Sequence, residues 1–286
     1  MTPQEALELL NASQHTVYTL GQQYSGGENQ GAFQVVDASG QTAVLKLSRN
    51  PLWISQIKRA QAATVHLKTL GYPVPEYTVM GSTDRGTYWL QTEMPGSPVV
   101  GAPTVGQITD LLRLIELQKG QLISEVQGQD WCWYLGNVVF RGEDGNVRAL
   151  MQFSPQTSAL VARIEGMVAG LDGKVLPKTD LVHGEMNLGQ VLFEGDRVSA
   201  VLDWDQVGYG DRTIDLVGLW FSIVDAPEPR DLVMKRLLEV SDPQAIKICA
   251  AARMLAVVSW HINKVGGDVD AVVAQSNAAL DLLAQL

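Results

Sequence analysis

The sequence predicts an α+β protein of two lobes, an antiparallel sheet plus one helix followed by a mainly helical region with short hairpins. Two observations predict it. Short β-prone runs separated by Gly and Ser-Gly turns crowd the first part of the chain, and beyond Gly96 apolar residues recur at helical spacing. The length of 286 residues fits one unit built from two lobes, with boundaries at 1–95 and 96–286.

In the first lobe, residues 16–21, 32–36 and 42–47 read as three strands of a meander. Residues 51–70 read as a helix, with Ile57, Ala60, Ala63, Leu67 and Leu70 on one face and Gly71 ending it. The Pro-rich segment 71–75 returns the chain to extended structure, and 87–93 forms another strand. Met94-Pro95-Gly96 marks the break between lobes. In the second lobe, helices are expected at 107–126, 158–171, 214–223, 230–240, 243–264 and 269–286. Two hairpins interrupt them, one turning at 143–146, the other at 194–196 between strands 190–193 and 198–203.

Hydrophobic residues at 46% and charged residues at 18% describe a folded globular chain. Lys and Arg total 21 against 31 Asp and Glu, and the net charge of −10 repels a phosphate backbone, which excludes nucleic acid as a partner. Cys132 and Cys249 are too few for a disulfide framework or a zinc site, so a reducing compartment is expected. The first ten residues carry Glu5 and Glu8 and no basic start to an apolar run, unlike a secretory signal. The most apolar later stretch, 250–262, is short and contains Arg253 and His261, so no membrane span is expected and the location is cytoplasmic.

The chemistry concentrates between residues 181 and 215: His183-Gly184-Glu185, Gln190, a hairpin, Asp203-Trp204-Asp205, Gly210-Asp211 and Asp215. The antiparallel hairpin brings the loop before Gln190 and the turn after Val201 to the same end, so that Glu185, Gln190 and Asp203 gather around one point. Such a set of oxygen ligands plus a base suits phosphoryl transfer. These residues resemble the aminoglycoside phosphotransferase family, which includes choline and fructosamine kinases. Its motif is His-Gly-Asp-x-x-x-x-Asn, then a metal-binding Asp in an Asp-Trp or Asp-Phe pair across a hairpin, then Gly-Asp and Asp-Leu.

The resemblance implies a two-lobed protein-kinase-like fold, ATP and Mg2+ as cofactors, and a small-molecule hydroxyl acceptor as partner. It places Asp203 on the magnesium ions, Glu185 at the catalytic base, Gln190 at the second metal ligand and Asp215 as a brace of the catalytic loop. His183, which opens the motif, joins Glu185 and Asp203 in the catalytic set. Gly26, Gly27 and Asn29 fall where the family has its phosphate-covering loop, and Lys46, ending the next strand, matches the lysine on the α- and β-phosphates. Glu93 and Met94 fall at the hinge that reads adenine through backbone groups. Trp220, Trp260 and His261 are either acceptor-pocket residues or core.

Three positions depart from the pattern. Glu185 replaces Asp and Gln190 replaces Asn, each keeping the functional group on an arm longer by one methylene, roughly 1.5 Å. Moreover, no Asp or Glu occurs from Ala38 to Pro75, so the helix after Lys46 has no carboxylate for it; Gln56 and Gln61 offer only neutral oxygens. Two readings follow: an ATP- and magnesium-dependent small-molecule kinase, or a catalytically impaired pseudokinase that retains Lys46 and Asp203 as a nucleotide-binding or interaction module. Oligomeric state is left open by the sequence.

Overall fold

The computed structural model describes residues 1–24, 31–142, 146–264 and 266–286. The chain forms two compact units, the first made of Met1–Ser97, Leu192–Glu194 and Val198–Val207, the second of Pro98–Val191, Gly195–Arg197 and Gly208–Leu286.

The first unit opens with helix α1 (Pro3–Gln14), whose N-terminus is closed by a reciprocal capping box of Thr2 and Glu5. Five antiparallel strands follow: β1 (Thr19–Gln23), β2 (Ala32–Val36), β3 (Thr42–Ser48), β4 (Tyr77–Thr83) and β5 (Gly86–Thr92), in the order β1-β2-β3-β5-β4. Helix α2 (Ile54–Thr69) lies between β3 and β4 in sequence and is preceded by a 3-10 turn, Pro51–Trp53. Alternation along β3 divides its side chains between the two faces. Leu45 and Leu47 enter a core with Ala6, Leu7 and Leu10 of α1, Val35, Tyr88 and Leu90. Lys46, between them, points to the other face, with Ala32 and Trp89 as its cross-strand neighbours.

The second unit contains α3 (Val105–Glu116), α4 (Trp131–Gly136), α5 (Asn146–Phe153), α6 (Pro155–Val168), α7 (Thr213–Ser222), α8 (Pro227–Val240), α9 (Pro243–Asn263) and α10 (Val269–Leu283). Its strands β6 (Asp180–Val182) and β9 (Gly208–Gly210) pair antiparallel; β7 (Val191–Glu194) and β8 (Arg197–Val201), which belong mostly to the first unit, form the expected hairpin. Helix α9 is the one described helix long and apolar enough to cross a membrane, yet most of it is buried among α5, α6, α7 and α10, which is the profile of a core helix.

Two expectations are corrected. The helix expected over 107–126 stops at Glu116, because the chain turns away to serve β6: Gln118 O accepts from Leu181 N at 3.1 Å and Gly120 N donates to Asp180 Oδ1 at 2.9 Å. The hairpin expected at 143–146 is absent on both flanks, since 137–141 is a π-helical turn and 146–153 is helix. The β-branched run there is claimed by packing, with Val138 and Leu150 buried, and tertiary context overrides strand propensity. The tip, 143–145, lies outside the described residues.

Candidate active site

In the first unit the site begins with a pair that sequence alone did not join. Lys46 Nζ donates to Asp203 Oδ1 at 2.9 Å across 157 residues of chain. Burial works to depress the Lys46 ammonium; the Asp203 charge, their hydrogen bond and the more distant Asp205 outweigh it, so its pKa stands above the ordinary lysine value. The lysine lacking a helix carboxylate has taken the aspartate assigned to the metal. Of the two glutamines on α2, Gln61 donates to Tyr77 O at 2.7 Å.

Asp203 sits at φ 64°, ψ 54°, in the left-handed region; His15 is the one other non-glycine residue with positive φ among those described. Asp tolerates that region better than most side chains, but the conformation still costs about 1 kcal/mol or more. What holds it is the next residue. Trp204 is fully buried, donates Nε1 to Val201 O at 2.9 Å and meets the Tyr72 ring edge-on at 5.5 Å. Val201 N in turn donates to Pro73 O at 2.8 Å, so the extended segment after α2 fixes the end of β8.

At the end of β5, Glu93 accepts from Tyr24 Oη and from Gln34 Nε2, 3.2 Å away. Burial works to raise Glu93, and hydrogen bonds from Thr42, Tyr24 and Gln34 bring it below its ordinary value. Met94 Sδ accepts from Thr92 Oγ1 at 3.6 Å. The following backbone is pinned to the hairpin through Ser199 Oγ donating to Pro95 O at 2.7 Å and the Ser97–Phe193 bridge. Gly26, Gly27 and Asn29 lie outside the described residues.

In the second unit the loop after β6 is organised by one buried carboxylate. Asp215, in the first turn of α7, accepts from His183 N and Gln118 Nε2 on Oδ2, both at 2.8 Å, and from Gly184 N on Oδ1 at 2.9 Å. Burial pushes Asp215 up from its ordinary pKa, opposed by the electrostatic interaction with His183 and by these hydrogen bonds. His183 is itself fully buried, and its Nδ1 accepts from Glu185 N at 3.3 Å. It shapes the loop from inside.

Gly184 has φ +89°, and a Cβ there would stand 2.2 Å from the Trp131 ring, so only glycine fits. Glu185 is exposed. Asn187 then builds the turn to Gln190: its Nδ2 donates to Glu185 O at 2.8 Å, its Oδ1 accepts from Gly189 N at 2.8 Å, and its O accepts from Gln190 N at 3.1 Å. Gly218 of α7 lets this loop close on the helix, because a Cβ at that position would meet Met186 O at 2.4 Å.

Sequence reasoning missed four residues of this architecture. Gln118 was hidden inside an expected helix. Asn187, ahead of Leu-Gly, carried an Asx-turn signal. Arg253, a lone cation in the apolar run of α9, is depressed by burial and lies in the electrostatic reach of Glu185 and Asp215. Asp205 was read only as the tail of Asp-Trp-Asp. Of the aromatic candidates, Trp220 is core at 1% exposure, whereas Trp260 and His261 are half-buried, with rings 4.8 Å apart and Lys264 Nζ 4.1 Å from the Trp260 centroid.

Residues 144–247, which contain this whole loop, the hairpin and α7, match the model of the phosphotransferase enzyme family. The chain resembles that family. Viomycin phosphotransferase of Streptomyces vinaceus is 25% identical over 175 residues, 52% of this chain and 56% of that protein, so the chain spans about half the length of the curated relative it matches. Solved phosphotransferase structures share the fold along nearly the whole chain. A thermostable mutant of aminoglycoside phosphotransferase APH(4)-Ia, in ternary complex with ADP and hygromycin B, superposes with a TM-score of 0.73 at 16% identity, covering 98% of this chain and 97% of that one. Macrolide 2'-phosphotransferase MphH from Brachybacterium faecium gives 0.63 at 22% identity, with 96% and 97% covered. The kinase-like α+β fold read from the sequence is therefore that of these phosphotransferases.

Proposed function

We propose that this protein is an ATP- and magnesium-dependent phosphotransferase that phosphorylates a hydroxyl of a small molecule. The observation that carries the reading is the Lys46–Asp203 pair: the two side chains assigned to phosphates and metal meet at 2.9 Å although 157 residues separate them. Support also comes from the neighbouring fold, whose solved representative holds ADP and hygromycin B, and from a relative that is a viomycin phosphotransferase. Hydroxylated antibiotics are accordingly the first acceptors to test, ahead of sugars and amino alcohols.

The donor set suits magnesium. Among the described residues no cluster of three or more His, Cys, Asp or Glu side chains offers an all-protein cage. Magnesium needs none, since it is held by one or two carboxylates together with substrate phosphates and water. Asp203 would supply the carboxylate and Gln190 an amide oxygen, and a magnesium ion held there would neutralise phosphate charge. Lys46 steadies the phosphates, and Glu185 orients the acceptor hydroxyl and takes its proton. His183 and Asp215 position that carboxylate. Backbone groups at Glu93 and Met94 read adenine.

Purified protein incubated with ATP, magnesium and a panel of hydroxylated antibiotics, sugars and amino alcohols is expected to release ADP with at least one acceptor. Asp203→Ala is expected to abolish magnesium-dependent ATP affinity in calorimetry. Equal affinity in that variant would remove Asp203 from the metal site. Magnesium-dependent nucleotide binding by the parent, without turnover on any acceptor, would favour the binding-module reading instead.

A further inference from the structure

Helix α2 has no carboxylate, yet it is tied to the turn that carries Asp203, and the tie has the opposite polarity from a helix glutamate on a strand lysine. Trp53, in the 3-10 turn that opens α2, donates Nε1 to Asp205 Oδ2 at 3.3 Å. Arg59 on α2 lies in the electrostatic reach of the same carboxylate, and its Nε is buried with no hydrogen-bond partner among the described residues. The helix packs on the turn Trp204–Gln206, whose Trp204 is fully buried. The donor thus comes from the turn that opens the helix and the acceptor is Asp205, while Lys46 donates to Asp203.

We propose that Asp205 is a positioning residue for the metal-ligand turn, held by Trp53 at the start of the α2 segment, and that this tie replaces the missing helix glutamate. The physical need is specific. Asp203 is in a left-handed conformation that persists only while its surroundings enforce it. Part of that enforcement is the bond from Lys46. Were Asp203 to hold magnesium and Lys46 the phosphates, that bond would be given up. The Asp205 tie uses neither residue, so it keeps the turn in place through the exchange of partners. Asp205 acts through the turn, as outer-shell groups act on metal ligands.

The role in metal binding rests on the function proposed above, and the experiment separates the two. The proteins are the parent, Trp53→Phe, Asp205→Asn and the double variant. Thermal unfolding without ligand tests the tie: the double variant is expected to lose clearly less than the sum of the two single losses. Additive losses would refute the tie whether or not nucleotide binds. Calorimetry with ATP, with and without magnesium, tests the role. Each single variant is expected to lose on the order of tenfold in magnesium-dependent affinity, with magnesium-free affinity unchanged and the double no worse than either. A loss confined to Asp205→Asn, with Trp53→Phe behaving as parent, would make Asp205 a direct metal ligand and overturn the positioning role. A parent that binds no nucleotide while the unfolding cycle stays non-additive would refute the kinase reading and the metal role together, and leave the tie standing.

Discussion

Asp203 and Asp215 are two carboxylates with opposite settings. Asp203 is 35% exposed at its side chain, strained in its backbone and bonded to a lysine. Asp215 is fully buried, lies in regular helix and receives three hydrogen bonds, two of them from the backbone of the loop after β6. The difference follows from what each must do in the proposed reaction. A carboxylate that exchanges a lysine for a metal has to remain reachable and only partly committed. A carboxylate that fixes a loop works best when every lone pair is already used and water is excluded.

The largest effect that this contrast predicts is at Asp215. Asp215→Ala strands the His183 and Gly184 N–H groups and the Gln118 amide in a dry interior, and each buried unsatisfied donor costs roughly 1–3 kcal/mol. A loss of several kcal/mol is expected in denaturant unfolding, enough to unfold many domains of marginal stability. Asp215→Asn should do little better, because its amide NH2 would face a backbone donor. A mild loss, under about 1 kcal/mol, would place Asp215 with Asp203 as an open, solvent-screened group and collapse the contrast.

Glu185 comes next. It is exposed on a loop held from beneath, so Glu185→Gln leaves the scaffold intact. Turnover on an identified acceptor is expected to fall by about a hundredfold or more, with ATP affinity and thermal midpoint near those of the parent. Unchanged turnover would strip Glu185 of the base role. A matching fall in stability would show that the residue braces the loop as Asp215 does.

What the sequence made legible follows the same division. The candidate site segment was readable because its motifs are local: His183-Gly184-Glu185, the hairpin and Asp203-Trp204-Asp205 lie within one short stretch, and the hairpin strands carry their own turn signal at 194–196. Strands β2 and β3 were readable from β-prone runs bounded by turns. Long-range choices were not. Lys46 was seen to lack a helix partner, but no periodicity reveals that Asp203 fills the gap, and Gln118 cannot be paired with Asp215 before the chain is folded. Strand β4 escaped because its residues are mostly half-exposed and its alternation is weak, and the run 137–141 misled because burial of Val138 decided its conformation.

The smallest expected effect is at Gln190, where the comparison is finest. Its backbone is set by Asn187, whose O accepts from Gln190 N at 3.1 Å while its Oδ1 holds Gly189 N, so the turn before the side chain is fixed. The side chain is not fixed in the same way. A Gln oxygen has one more rotatable bond than an Asn oxygen, and magnesium demands near-ideal octahedral geometry at short distance. Fixing the extra torsion costs entropy, and a neutral amide brings no charge to offset it, which leaves Asp203 to supply most of the attraction. Turnover is therefore expected to need more free magnesium than nucleotide binding does. If the Asn187 turn has been shaped around the longer arms of Glu185 and Gln190, Gln190→Asn will lower kcat by several-fold up to the hundredfold that a displacement of about 1 Å can cost. Glu185→Asp combined with Gln190→Asn should then recover part of that loss, a non-additivity that independent residues would not show. The check is kcat against free magnesium for the parent, both single variants and the double. A magnesium dependence that is the same in all four proteins would mean that Gln190 does not touch metal, and the reachable side of the contrast would rest on Asp203 alone.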